Sequence, residues 1–160
     1  MSLAQSLESV RFLSDFAESV LAYPIVLSIH LTDIALFGGM ILATNLRLLG
    51  VTFNDVTITQ MVTTLRPWKR VGGTIQILTG LLLAASEATK YVPNPFFWAK
   101  MIALCLIGVH GLVFRPTVYN RTEELDRSPA IPTAVKIAAI TSLFLWTAVF
   151  TLGRLIAYWE

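Results

Sequence analysis

Long apolar runs with few charges dominate the pattern of this sequence. Four of them cover residues 23–49, 71–85, 96–114 and 131–158. A helix needs about 20 residues to cross a hydrocarbon core about 30 Å thick. Because lipid offers no partner to backbone N–H and C=O groups, each run is predicted to be a helix. The pattern predicts an all-α, integral membrane four-helix bundle, with residues 1–160 forming a single domain.

The residues before the first run follow a different pattern. Between residues 2 and 21, apolar side chains recur at steps of three and four residues, which is typical of an amphipathic helix. The segment lacks the basic start and the cleavage-like site of a signal peptide, and it carries Glu8, Asp15 and Glu18. We therefore predict a retained amphipathic helix over 2–21 that lies at the membrane interface.

Composition and charge support a membrane location and suggest an orientation. The chain is 55% hydrophobic and 14% charged, with a mean hydropathy of +0.68, values that soluble domains rarely combine. With four crossings, both termini share one side with the loop at 86–95. The positive-inside rule makes the opposite, more basic side cytoplasmic, so we expect a bacterial inner-membrane protein with periplasmic or extracellular termini. The basic residues assigned to the cytoplasmic side are Arg47, Arg66, Lys69, Arg70, Arg115, Arg121, Arg127 and Lys136. The net charge of +2 is small, and nothing indicates nucleic acid.

Away from the ends of the predicted spans, the ionisable side chains that bear on function are His30, Asp33, Lys100 and His110. Such residues are costly in a membrane, so each is a functional-site hypothesis. If the first and third helices are centred near residues 34 and 105, His30 and Lys100 lie within about 3 Å in depth. On the same arithmetic, His110 lies about 13 Å from His30 along the membrane normal.

Haem is the cofactor that these residues suggest first. Membrane cytochromes hold haem b between histidines in helical bundles, which makes His30 and His110 the candidate iron ligands. The depths instead favour His30 with Lys100, which ligates only as a neutral amine. Asp33 follows His30 by one helical turn and could orient the imidazole, accept a proton or pair with Lys100. For His110, the alternative is a structural hydrogen bond to Asn45 or to a backbone carbonyl.

Other metal chemistry is limited by the ligand inventory. Cys105 is the single cysteine, so disulfides and cysteine-ligated clusters within the chain are excluded. One imidazole and one carboxylate, His30 and Asp33, are too few for a closed copper or zinc site. Ligands from a partner or from another protomer of a homo-oligomer would be required.

Several motifs resemble those of a known family. They are Pro24, His30, the segment 46–50, Pro67-Trp68, Thr79-Gly80, Asn94-Pro95, Lys100, Trp146 and Gly153-Arg154. Together they resemble an uncharacterised bacterial family of four-helix integral membrane proteins, a domain of unknown function. More distantly, His30 and the motif Trp98-Ala99-Lys100 are similar to small membrane protoporphyrinogen oxidases and to CopD-like copper-resistance domains. The oxidase similarity implies haem and substrate handling by His30 and Lys100.

Three functions therefore remain open. The first is a membrane b-type haem protein for electron transfer or haem-linked redox sensing, with His30 as ligand and Lys100 or His110 opposite. The second is a porphyrinogen or quinol oxidase in which Lys100 and Asp33 handle protons or propionates. The third is a copper-handling or structural subunit without haem. The expected partners are the lipid bilayer and either a quinone or a redox protein.

Overall fold

A computed structural model of the chain describes residues 3–159, and within that range every regular element is helical. The prediction of an all-α chain is confirmed for this range. The helices are α1 (Leu3–Glu8), α2 (Arg11–Ala17), α3 (Ala22–Leu49), α4 (Ile58–Ser86), α5 (Ala88–Tyr91), α6 (Pro95–Phe114), α7 (Thr122–Arg127) and α8 (Thr133–Leu155). A π-helical turn, Arg115–Tyr119, continues α6, and a 3-10 turn, Ile156–Tyr158, continues α8.

Three helices are long and apolar enough to cross a membrane: Ala22–Leu49, Pro95–Tyr119 and Thr133–Tyr158. Their outward side chains are largely apolar, as shown by Leu112 and Phe144, which are each 72% exposed. Large exposed apolar faces of this kind are costly in water and suit a lipid environment. The three helices therefore indicate a membrane protein. The bounds of α3, α6 and α8 lie close to three of the predicted runs.

The helix α4 differs from the predicted second run, 71–85. It begins 13 residues earlier, at Ile58, and its first half carries Arg66, Lys69 and Arg70. Two features start it early: the Thr57 hydroxyl accepts from Gln60 N at 3.1 Å, and the Asp126 carboxylate accepts from Ile58 N at 2.7 Å and Thr59 N at 3.0 Å. These bonds satisfy N–H groups that a helix start leaves unpaired. The four-helix crossing stays a prediction, because α4 is not among the three apolar helices.

The amphipathic helix predicted over 2–21 is two short helices instead, α1 and α2. The Ser9 hydroxyl donates to Ser6 O at 2.8 Å, and Val10 has an extended backbone, so the helix is interrupted between them. Local serine bonds of this kind compete with helical ones. The carboxylate of Glu8 accepts from Thr89 N at 2.8 Å, which ties α1 to α5. Residue 2 lies outside the described range.

The long helices pack as antiparallel neighbours along α3. Lys69 Nζ of α4 donates to Thr44 Oγ1 at 3.1 Å, and Asn45 Nδ2 of α3 donates to Ser142 Oγ of α8 at 3.0 Å. We call the end with Ala22 the A end and the end with Leu49 the B end. The main buried apolar cluster lies at the B end and consists of Leu48, Ile58, Val62, Val118, Val135, Ala138 and Ala139.

The connections at both ends are fixed by recognisable signals. Gly50 has a φ of 72°, and Val51 N donates to Leu46 O at 3.1 Å, which ends α3 in a Schellman motif. At the A end, Asn94 Oδ1 accepts from Phe96 N at 2.9 Å, and its Nδ2 donates to Ile156 O at 3.1 Å. Asn94 therefore caps α6 and joins it to the end of α8.

Candidate functional site

His30 lies in α3, half-buried against α4. Its Nδ1 is 2.7 Å from Thr79 Oγ1, while the Thr79 hydroxyl donates to Ile75 O at 2.7 Å. A hydroxyl has a single hydrogen, so this network assigns the proton to Nδ1 and makes Nδ1 the donor. The tautomer leaves the lone pair on Nε2, the atom that a metal would bind.

The glycine next to Thr79 makes room for the imidazole. A Cβ added to Gly80 would lie 3.2 Å from His30 Cε1, closer than about nine in ten real Cβ contacts. Gln76, one turn earlier on α4, places its Nε2 3.5 Å from His30 O, and its own Oε1 is buried without a hydrogen-bond partner. The α4 face opposite His30 thus has the hydroxyl of Thr79 as an acceptor, the missing side chain of Gly80 as space for the ring, and the unpartnered Oε1 of Gln76.

Lys100 reaches the same region from α6. It is half-buried, and its Nζ lies 3.4 Å from where a Cβ on Gly153 would stand. Gly153 lies one turn beyond Phe150, whose ring packs on Gly38. This register puts the ammonium within about 7 Å of the level of His30. Lys100 and His30 thus lie toward the same end of the bundle, as the sequence predicted.

Asp33 lies one turn from His30 and is 8% exposed. Its Oδ1 lies 3.1 Å from where a Cβ on Gly72 would stand, and its Oδ2 is buried without a hydrogen-bond partner. The ion pairs among residues 3–159 are formed elsewhere, by Arg11 with Asp15, Lys90 with Glu87, and Arg121 with Glu124. The suggested Asp33–Lys100 pair is therefore absent. Thr79, rather than Asp33, orients the imidazole.

His110 belongs to a different part of the molecule. Its Nε2 lies 2.9 Å from Ala138 O of α8, so Nε2 carries a proton and donates. Ala138 lies one turn before Ser142, the partner of Asn45. This register places His110 fifteen residues or more below His30 along α3, a separation of about 22 Å or more. The structure does not bring His30 and His110 together, and the separation exceeds the 13 Å expected from the sequence.

Thr79, Gln76 and Gly153 are the positions whose contribution the sequence did not reveal. Thr79-Gly80 formed part of the family-like pattern, but the partnership between Thr79 and His30 depends on the register between α3 and α4. The signal available in the sequence was the pair Thr79-Gly80, in which a hydroxyl that can bond a histidine stands beside a residue without a side chain. Within residues 3–159, no group of three or more His, Cys, Asp or Glu side chains could hold a metal ion.

A family model described as a family of unknown function, DUF6644, matches residues 17–159. Since the match spans most of the chain, this protein belongs to that family. No curated protein matches the chain, and no solved structure does. The distant similarity to protoporphyrinogen oxidases and CopD-like domains therefore gains no support from these comparisons.

Proposed function

We propose that this member of the DUF6644 family is an integral-membrane b-type haem protein that serves electron transfer or haem-linked redox sensing. The observation that carries the proposal is the state of His30. Its ring is half-buried between α3 and α4, Nδ1 is engaged by Thr79, and Nε2 keeps its lone pair. A metal-ligating histidine usually has its other nitrogen bonded in this way.

The proposal treats α4 as the fourth crossing of a single bundle. Its second half is apolar and packs along α3, while Arg66, Lys69 and Arg70 lie toward the B end. A membrane that covers the apolar half would leave these basic residues near its B face. By the positive-inside rule, the B end is then cytoplasmic and the A end periplasmic or extracellular, in a bacterial inner membrane.

The donor chemistry toward the A end of the bundle would suit a haem that takes one imidazole from the protein. His30 would supply the ligand, Thr79 would hold its orientation, and Gly80 would leave space for its ring. Haem supplies reversible one-electron oxidation and reduction at its iron. Lys100 would either neutralise a propionate or, as a free amine, serve as a second ligand. His110 does not belong to this site, because its Nε2–H donates to Ala138 O near the B end of the bundle, far from His30.

A bare copper or zinc ion fits less well. No group of three or more His, Cys, Asp or Glu side chains lies together among residues 3–159. A haem brings four ring nitrogens of its own and asks the protein for one or two ligands, which matches the lone imidazole of His30. A copper-handling role would need ligands from a second subunit.

An enzymatic role at the same residues is the second candidate. It is favoured by the similar levels of Lys100 and His30 in the bundle and by Asp33 Oδ2, which is buried without a hydrogen-bond partner. A porphyrinogen oxidase would use a cation to hold propionates and a carboxylate to move protons. Complementation of a strain that lacks protoporphyrinogen oxidase tests this role. Growth restored by the wild type but not by Lys100→Met would support it, and no growth despite expression would count against it.

The haem proposal is tested by absorption spectra of detergent-purified protein from haem-replete cells, oxidised and dithionite-reduced. We expect a Soret band in the wild type and in His110→Ala, and its loss in His30→Ala. His110→Ala is the matched control, because it removes an imidazole from another level of the bundle. A colourless wild type would refute haem binding. Loss of the band in both variants would refute the assignment to His30 alone.

A further inference from the structure

A groove runs along α3 on the side that is not covered by α6 or α8. It has a volume of about 510 Å³ and is lined by Leu21, by one face of α3 from Pro24 to Leu36, and by Ile75 of α4. Its walls are mostly apolar, and Ile29 and Leu36 are 46% and 64% exposed. In a membrane, this face of α3 meets the hydrocarbon, so a ligand would enter from the lipid phase. A volume of this size lies within the usual range for small-molecule sites.

Asp33 is the ionisable group of this groove. The carboxyl is more than nine-tenths buried, and its Oδ2 has no hydrogen-bond partner. Ser28, another polar residue of the lining, donates its hydroxyl hydrogen to Pro24 O at 2.7 Å. A buried carboxyl oxygen without a partner is costly, and an isolated one is rare in folded proteins. The groove therefore places one carboxyl, that of Asp33, and the hydroxyl residues Ser28 and Thr32 among apolar walls.

The depth of Asp33 limits the chemistry of the ligand. Asp33 lies eleven residues into α3, about 16 Å from the A end of the helix and close to its centre. In a membrane about 30 Å thick, this is too deep for a phosphate or another charged headgroup, which stays at the interface. The polar part of the ligand must be neutral, while the rest must be apolar.

We propose that the groove between α3 and Ile75 binds an isoprenoid quinone or its quinol, with the headgroup at Asp33. A protonated carboxyl donates to a quinone carbonyl, and a carboxylate accepts from a quinol hydroxyl, so Asp33 serves both forms of the couple. The isoprenoid tail lies along the apolar walls toward Leu21. The inference rests on the membrane placement proposed above, but it does not require haem.

The test is photolabelling of the full chain in lipid nanodiscs with an azidoquinone that carries a decyl tail, followed by peptide mapping. We expect saturable labelling within residues 21–36 that excess decylubiquinone removes. Asp33→Leu is expected to weaken binding about tenfold or more, and Ile29→Trp to block the groove while leaving Asp33 in place. Leu112→Trp, at a site 72% exposed on α6, is the matched control and is expected to bind like the wild type.

Further measurements separate this proposal from its alternatives. Thermal unfolding of Asp33→Leu is expected to occur no lower than that of the wild type, because Oδ2 has no bond to lose; a lower midpoint would assign Asp33 a structural role. Equal labelling of all variants, or labelling outside 21–36, would overturn the proposal. Displacement by oleate as effective as that by decylubiquinone would also overturn it, as would a dimer that covers this face. The Soret band is read on the same samples, so failure of quinone binding and failure of haem binding are distinguishable.

Discussion

The hydrogen bond between His30 and Thr79 gives the sharpest test of the proposed ligand. Thr79→Val keeps the volume and the β-branched shape of the side chain but removes the acceptor for Nδ1–H, which lies 2.7 Å away. A half-buried N–H left without an acceptor costs about 1–3 kcal/mol. Loss of a partner that orients a ligating histidine lowers metal affinity by about 10–100-fold, or about 1.4–2.8 kcal/mol. The first figure is a cost to folding, which is present with and without haem, so the second figure sets the expected fall in haem affinity, about 10–100-fold.

The assay is a haem titration of the apoprotein in detergent, followed at the Soret band. Thr74→Val is the matched control, because Thr74 lies on the same helix and donates to Arg70 O at 2.9 Å without any histidine partner. We expect Thr74→Val to bind haem like the wild type. Equal affinity in Thr79→Val and the wild type would refute the assigned tautomer and the positioning role of Thr79.

Three further predictions concern the space beside His30, the end of α3 and the start of α4. Gly80→Val would bring a side chain against His30 Cε1 and is expected to abolish the Soret band while the protein still purifies as a folded species by gel filtration. Gly50→Val would force a β-branched residue to a φ of 72° and is expected to lower stability by about 1–3 kcal/mol, measured by thermal unfolding. Asp126→Ala removes two bonds to the start of α4 and is expected to cost about 0.5–2 kcal/mol at neutral pH. Burial raises the Asp126 pKa, but the bonds from Thr59 and Ile58 and the charge of Arg47 outweigh it and hold the pKa below its ordinary value of 3.8. The stabilisation is therefore present above pH 3.8 and is lost as pH falls through the lowered pKa, so wild type and variant should converge in acid.

Most of the helical pattern could be predicted from the sequence. The apolar runs that became α3, α6 and α8 are long, and their ends carry strong signals such as Leu49-Gly50 and Asn94-Pro95. The start of α4 was missed because its first half is too polar to belong to a span. The capping sequence from Thr57 to Gln60 was the signal that could have located it.

The relative heights of the helices could not be predicted in the same way. The depth arithmetic assumed that the first and third helices have aligned centres. In the structure, α6 has 20 residues and α3 has 28, and Asn94 fixes the start of α6 to Ile156. These tertiary bonds, which no single helix encodes, set the levels of Lys100 and His110. They preserve the neighbourhood of His30 and Lys100 but move His110 further away.

The cost of these buried groups in a membrane bears on the proposal that a ligand binds near them. An aspartate near the centre of a span, where Asp33 would lie, costs about 2.5–3.5 kcal/mol. A salt bridge between Asp33 and Lys100 would offset part of that cost, but the structure does not form it. The hydrogen bond between His30 and Thr79 contributes only about 1 kcal/mol to the stability of the fold. It also leaves Nε2 without a hydrogen to donate. A neutral ligand that hydrogen-bonds to Asp33, as proposed above, would offset part of this cost.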